Sequence, residues 1–461
     1  MNGADATRGA PSLAEPDPAE RVLLAQGLLD MDRRHVWHPF TQAATEPQPI
    51  AIARAAGATL FGVDGRTYLD LISSWWVNLH GHAEPRIADA IARQARELEQ
   101  VMFAGFTHEP AIRLATRLAG LLPPPLERVF FSDNGSTAVE VALKLAWQYW
   151  RNKGSERRHF LAFEGGYHGD TFGAMAAGRG SNFYRPFDEL LFDVELLPYP
   201  ATWIGDEAVE AKEAASLAAL DAWLAQNGPA TAALIVEPLI QGAGGMRMCR
   251  PEFIRAVVTR VRQAGALVIF DEVMTGFGRT GEIFAMSKIG VTPDIVALAK
   301  GLTGGFLPLA ATVATDEIYQ GFLASSFDKA FAHGHSYTAN PLGCAAALAS
   351  LDILGEVATV ARIASIERKH RDRLAKLGQS GDWARARVMG TIAAVNLGSR
   401  EPTYNAEVGA RLRAYFLERG LLIRPLGPVV YLMPPYCTTE SELDRAYDAI
   451  EEAGKLVEKG S

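Results

Sequence analysis

Three buried-looking apolar runs in the middle of this chain each stop on a charged residue, and that repetition constrains the fold more than any other feature. "AALIVEP" (232–238) ends beside Glu237, "ALVIFDE" (266–272) runs into Asp271, and "DIVALAK" (294–300) closes on Lys300. Two earlier runs, "RVFFSD" (128–133) and "HFLAFEGG" (159–166), share the strand-like pattern. Between the third and fourth in chain order lies "PEFIRAVVTRVRQAG" (251–265). It has Pro251 in the first turn, apolar residues at Phe253, Ile254, Val257, Val258 and Val261, and Gly265 as its stop, which predicts a helix. Strand, helix, strand in this rhythm predicts an α/β fold whose central sheet is mostly parallel and covered by helices on both faces. The 34 residues from Glu237 to Asp271 and the 29 from Asp271 to Lys300 leave room for crossover connections. In such sheets the ligand crevice lies beyond the carboxyl ends of the strands, so all three side chains should face one crevice.

An aspartate and a lysine at strand ends could be only an ion pair at a sheet edge. Their neighbours argue for more. "FFSDNGSTAVEVALKLAWQYW" (130–150) passes from a strand end through Gly135 and Ser136 into a helix, with Thr137 and Glu140 spaced as a capping box. The free N–H groups and dipole of such a helix start suit a phosphate. Phosphate cradle, strand-end Asp271 and Lys300 before "GLTGG" together suggest pyridoxal phosphate, with the lysine amine for its aldehyde and the aspartate for its protonated ring nitrogen. A cationic ring accepts electrons, and Lys300 is then placed to move a proton as general acid and base.

Composition narrows the remaining classes. Of 461 residues, 48% are hydrophobic and 21% charged, and the net charge is −8, so nucleic acid and anionic membranes are not expected partners. Cys249, Cys344 and Cys437 lie too far apart for a disulfide framework or zinc site, and the two "HGH" triplets (80–82, 333–335) lack an accompanying carboxylate or cysteine ligand pattern. No apolar run approaches a membrane span and the first residues lack a signal-peptide pattern, so a cytoplasmic setting is expected. Residues 1–20 read as a flexible tail, 91–344 as a large cofactor-binding domain, and 21–90 with 345–461 as a small domain. Within the small domain, "LFGVDGRTYLDL" (60–71) predicts a hairpin turning at Asp64 and Gly65, and long amphipathic helices with the strand-like "GLLIRPLGPVVYLMPP" follow about residue 345.

The sequence also resembles a known family. "VIFDEVMTGFGRTG" (268–281) and "VALAKGLTGG" (296–305), with "WHPFTQ" (37–42), "SSWWVNLHGH" (73–82), "GYHGDTFGAM" (166–175) and "LLIRPLGPVVYLMPPYC" (421–437), resemble the class III aminotransferases of the fold-type I group. The similarity covers nearly everything after residue 30. It implies a homodimeric, pyridoxal-phosphate-dependent aminotransferase with shared active sites, acting on an amino donor and a keto acid. Lys300 and Asp271 match the cofactor's covalent and ring partners, Gly135 and Ser136 its phosphate site, and Tyr167 the aromatic beside its ring, with Asp170 close by. Gly334, His335 and Ser336 match a segment that reaches the partner subunit's phosphate. Phe40 and Trp75 match substrate-pocket walls, Arg424 the receiver of the substrate carboxylate, and Glu237 with Arg279 a buried pair near the entrance. Two departures stand out: Phe40 replaces a commoner tyrosine, and His335-Ser336 a commoner Pro-Thr. A non-catalytic pyridoxal-phosphate-binding regulator is the rival from another class; no winged-helix segment supports it.

Overall fold

The computed structural model describes residues 17–180, 184–378, 381–398 and 407–458. Its centre is a seven-stranded sheet in the order Leu126–Ser132, Ala310–Thr315, Ile295–Leu298, Leu267–Asp271, Thr231–Val236, His159–Phe163 and Val194–Leu197. Only Ala310–Thr315 runs antiparallel to its neighbours. The five strands read from the sequence are all present. Two more complete the sheet: Val194–Leu197 is a four-residue edge strand, and "AATVAT" is alanine-rich, with weak β propensity.

The apolar runs are continuous because helices cover both faces of the sheet. Ile235, Ile269, Ile295 and Ala297 pack with Val139, Ala142 and Ala146 of the helix Gly135–Asn152. Their sequence neighbours Leu234, Val268, Phe270 and Val296 point the other way, into a core containing Phe253, Val257 and Val261 of the helix Pro251–Gln263. A period of two in the strands thus meets a period of 3.6 in the helices.

A second body draws on both ends of the chain. Strands Ile52–Ala56, Thr59–Gly62 and Thr67–Asp70 form an antiparallel sheet, and Leu421–Leu422 joins it parallel to Thr67–Asp70. The expected hairpin turn has Gly65 at φ +87°, and Asp64 accepts the Arg66 N–H at 3.0 Å. The stretch "GLLIRPLGPVVYLMPP" divides between two sheets, since Val429–Leu432 pairs instead with Ile392–Leu397. Pro425, Gly427 and Pro428 separate the two pieces. Residues 1–16 of the expected tail lie outside the described residues, and from Pro18 the chain is a helix that Asp17 caps. Among the described residues, no single helix is long and apolar enough to cross a membrane.

Candidate active site

The ends of three parallel strands make the floor of the site. Glu237 follows Val236, Asp271 is the last residue of its strand, and Lys300 opens a 3-10 turn just beyond Leu298. All three line one cavity of about 450 Å³. Lys300 has φ +42°, a left-handed conformation that residues with a side chain rarely hold and that clusters at functional sites. Its Nζ lies 5.1 Å from the centre of the Trp76 ring. Burial lowers the Lys300 pKa, against the raising charges of Asp271, Glu237 and Asp170, and so favours the free amine.

The end expected to take a phosphate is built at the start of the helix Gly135–Asn152. Its cap differs from the expected Thr137–Glu140 pair. Asn134 caps the helix by accepting the Thr137 N–H at 3.0 Å, and the Thr137 hydroxyl accepts the Asn134 N–H in return. Glu140 is one turn too far along, and instead accepts the N–H groups of Gly173 and Ala174 at the head of the next short helix. The amides of Gly135 and Ser136 sit in the first turn, where no intrahelical acceptor exists, and both residues line the cavity. A Cβ on Gly135 would lie 2.5 Å from Val273 Cγ1, so only glycine lets the chain approach this closely. The Ser136 hydroxyl accepts the Thr171 N–H at 2.9 Å.

Asp271 is buried and oriented from two sides. His168 Nδ1 donates to its Oδ2 at 2.7 Å, and the Val273 amide donates to its Oδ1 at 3.1 Å. Burial opposes a charge on His168, but the Asp271 hydrogen bond and the charges of Asp271 and Glu237 outweigh it and raise its pKa. His168 was not among the residues expected from the sequence, although it sits inside "GYHGD" directly after Tyr167. Tyr167 donates its hydroxyl to Asp170 at 3.1 Å and stacks on Tyr184 with ring centres 6.1 Å apart. Its amide donates to Glu237 Oε2 at 2.9 Å, and Gly242 donates to Oε1 at 3.0 Å. Burial pushes the Glu237 carboxyl up to about 7.

A second cavity of about 300 Å³ shares Trp76, Tyr167 and Lys300 with the first. Its other walls are Phe40, Trp75, Ala243, Leu426 and Tyr431, and Arg424 supplies a guanidinium. Phe40 meets Trp75 edge-on at 5.6 Å, and Arg424 lies 4.7 Å over the Trp75 ring. Trp76 fixes its indole by donating to the Tyr431 hydroxyl at 3.0 Å. The structure therefore brings together Phe40, Trp75, Tyr167, Lys300 and Arg424 as expected, and adds Trp76 and Tyr431. Trp76 was legible as the second half of "WW"; Tyr431 joins from 355 residues away and carried no local signal.

Two expectations need correction or relocation. Glu237 and Arg279 form no pair: Glu237 is taken by two amides, while Arg279 is buried and donates to the Pro434 and Asn78 carbonyls at 2.8 and 3.1 Å. Gly334, His335 and Ser336 are exposed and line neither of these two cavities.

The donors present fit pyridoxal phosphate: orphan amides and a hydroxyl for phosphate, a carboxylate pinned by histidine for a ring nitrogen, and a buried amine for an aldehyde. Fold and site together define a fold-type I, pyridoxal-phosphate-dependent transferase. The family is specific: the aminotransferase class-III model matches residues 40–453, and the chain belongs to that family. It is 56% identical to an adenosylmethionine-8-amino-7-oxononanoate aminotransferase of Synechococcus elongatus, covering 90% of this chain and 97% of that one. A solved structure of the like-named enzyme of Methanocaldococcus jannaschii is 35% identical with TM-score 0.86, over 93% and 99% of the two chains. An (S)-enantioselective omega-transaminase of Thermomicrobium roseum is 31% identical with TM-score 0.87, over 93% and 98%.

Proposed function

We propose that this chain transfers an amino group from S-adenosylmethionine to 8-amino-7-oxononanoate, giving 7,8-diaminononanoate for biotin synthesis. The observation that carries this reading is the second cavity, whose apolar walls hold Arg424 and open onto Lys300. Aromatic and aliphatic walls suit a long alkyl chain, and a guanidinium suits a carboxylate through paired charge-assisted hydrogen bonds. The 56% identity to an enzyme of that name supports the same substrates.

When bound, pyridoxal phosphate supplies a cationic ring that draws electrons from the bonds at the substrate's amino-bearing carbon. The chain's own residues do the rest. Gly135 and Ser136 would hold the phosphate, and Asp271 the proton on the ring nitrogen, with His168 fixing that carboxylate. Lys300, its amine favoured by burial, takes a proton from the donor's carbon and returns one to the acceptor's carbon. Arg424 orients the keto acid. Phe40, without a hydroxyl, offers no hydrogen bond to the donor, which opens the site to a second amine such as lysine.

The active unit in this reading is a cytoplasmic homodimer in which Gly334, His335 and Ser336 serve the partner's phosphate. Support comes from surface chemistry. Exposed Met102 and Phe106 lie on a segment joined to exposed Tyr337's, since Gln100 donates to the Ser336 carbonyl at 2.7 Å and Asn340 to that of Glu99 at 3.1 Å. Such apolar surface is typical of an interface.

The second reading is a class III amine or ω-amino acid transaminase with pyruvate or another keto acid, favoured by the Thermomicrobium roseum neighbour. One experiment separates the two: assay purified enzyme with 8-amino-7-oxononanoate against S-adenosylmethionine, lysine and simple amines, and with pyruvate as rival acceptor. Product 7,8-diaminononanoate from S-adenosylmethionine is the expected result. Turnover with pyruvate and none with 8-amino-7-oxononanoate overturns it.

A further inference from the structure

The two tryptophans of the substrate cavity sit on a turn that should not hold itself. Ser73, Ser74 and Trp76 all have φ in the left-handed region, at +52°, +61° and +69°. Non-glycine residues stay there only where their surroundings over-determine them. Here the restraint is Asp70, which is fully buried at the end of the strand Thr67–Asp70. Its Oδ1 accepts the Ile72 N–H at 3.1 Å, and its Oδ2 accepts the Ser74 N–H at 2.6 Å and His82 Nε2 at 2.9 Å.

The direction of every bond in this network is fixed. Asn78 Oδ1 accepts the Gly81 N–H at 2.8 Å, so its amide nitrogen faces His82 Nδ1, at 3.2 Å, as a donor. His82 must then carry its proton on Nε2, which is the atom that meets Asp70. Arg279 adds a strut by donating to the Asn78 carbonyl, and the Ser73 hydroxyl donates to Met433 O at 2.8 Å. Removing the His82 donor leaves a buried carboxylate under-satisfied directly beneath the turn.

We infer that Asp70 and His82 are positioning residues that hold the strained Ser73–Trp76 turn, and thereby fix where Trp75 and Trp76 wall the acceptor pocket. His82 touches neither cavity and acts only through the turn. The substrate named in the kinetic test rests on the function proposed above; the placement of the turn does not.

The test uses holoenzyme labelled with 5-fluorotryptophan, with the Trp75 ¹⁹F signal assigned through Trp75→Phe. Wild type and His82→Gln, whose amide can still donate to Asp70, should give one sharp signal. His82→Leu should split or broaden it, and should raise KM for 8-amino-7-oxononanoate roughly 10- to 100-fold while changing kcat less. If His82→Leu does not fold, Asn78→Ala, which frees the His82 tautomer, should broaden the signal to a smaller degree. A Trp75 signal unchanged in His82→Leu (or in Asn78→Ala in its place), or Gln as damaging as Leu, overturns the inference. A split Trp75 signal in an enzyme inactive on 8-amino-7-oxononanoate supports the turn's role and removes only the substrate.

Discussion

Asp271 and His168 form the tightest charged contact of the site, and their partnership has a pH signature. A base whose pKa is raised by folding binds its proton more tightly in the folded chain. The stability so gained is complete below the unfolded value, near the ordinary 6.5, and fades as pH rises through the raised folded value. In urea melts of cofactor-free protein from about pH 6 to about pH 9, the gap between wild type and His168→Gln should therefore be widest at the acid end. A gap that widens with rising pH would mean that His168 is buried neutral. Arg424 gives a second expectation: Arg424→Ala should cost the keto-acid half-reaction a few kcal/mol, on the order of 100-fold, in single-turnover kinetics. An esterified acceptor should then lose little more; equal sensitivity of wild type and variant to esterification removes Arg424 from the role. Asp271, Lys300 and Glu237 were legible because charge at the end of an apolar run is a local signal. His168 was missed, and Glu237 paired wrongly with Arg279, because partner choice is tertiary: His168 meets Asp271 across 103 residues.

At the scale of elements, sequence periodicity found the helix Pro251–Gln263 and its five buried positions, since burial there follows from one apolar stripe. The start of the helix Gly135–Asn152, proposed to hold the phosphate, was read three residues late. "NGST" and "TAVE" each offer a cap and its partner at the right spacing, and only the strand end at Ser132 decides between them. That helix start also carries a prediction. In Gly135→Ala the new Cβ would meet Val273 Cγ1 at 2.5 Å and Cγ2 at 3.1 Å, while Val273 Cβ lies at an ordinary 3.4 Å. Overpacking of this kind costs about 1–3 kcal/mol, so cofactor affinity should fall by roughly one to two orders of magnitude in a spectrophotometric titration. Adding Val273→Ala removes both clashing methyl groups and should restore most of the loss. No rescue would mean that the added Cβ obstructs the bound cofactor itself and not only Val273.

At the scale of the molecule, a single chain assembles both cavities yet leaves Ser336 outside them, exposed beside a surface that includes Tyr337 at 66% and Met102 at 60% exposure. In the proposed dimer that hydroxyl serves the neighbouring copy, so the resemblance of the sequence points to it and neither of the two cavities of a single chain does. If a two-fold dimer shares its sites, each site takes Lys300 from one subunit and Ser336 from the other. Mixing Lys300→Ala subunits with Ser336→Trp subunits then creates hybrids in which one site combines both defects and the other has neither. Re-associated in equal amounts, two inactive proteins should recover roughly a quarter of wild-type activity, because half the dimers are hybrids with one of two sites intact. Borohydride reduction before peptide mapping should place the pyridoxyl label on Lys300 of the Ser336→Trp subunit alone, since its companion has no lysine there. If hybrids form, as differently tagged subunits purified together would show, and activity does not return, each subunit completes its own site and Ser336 has no part in the partner's.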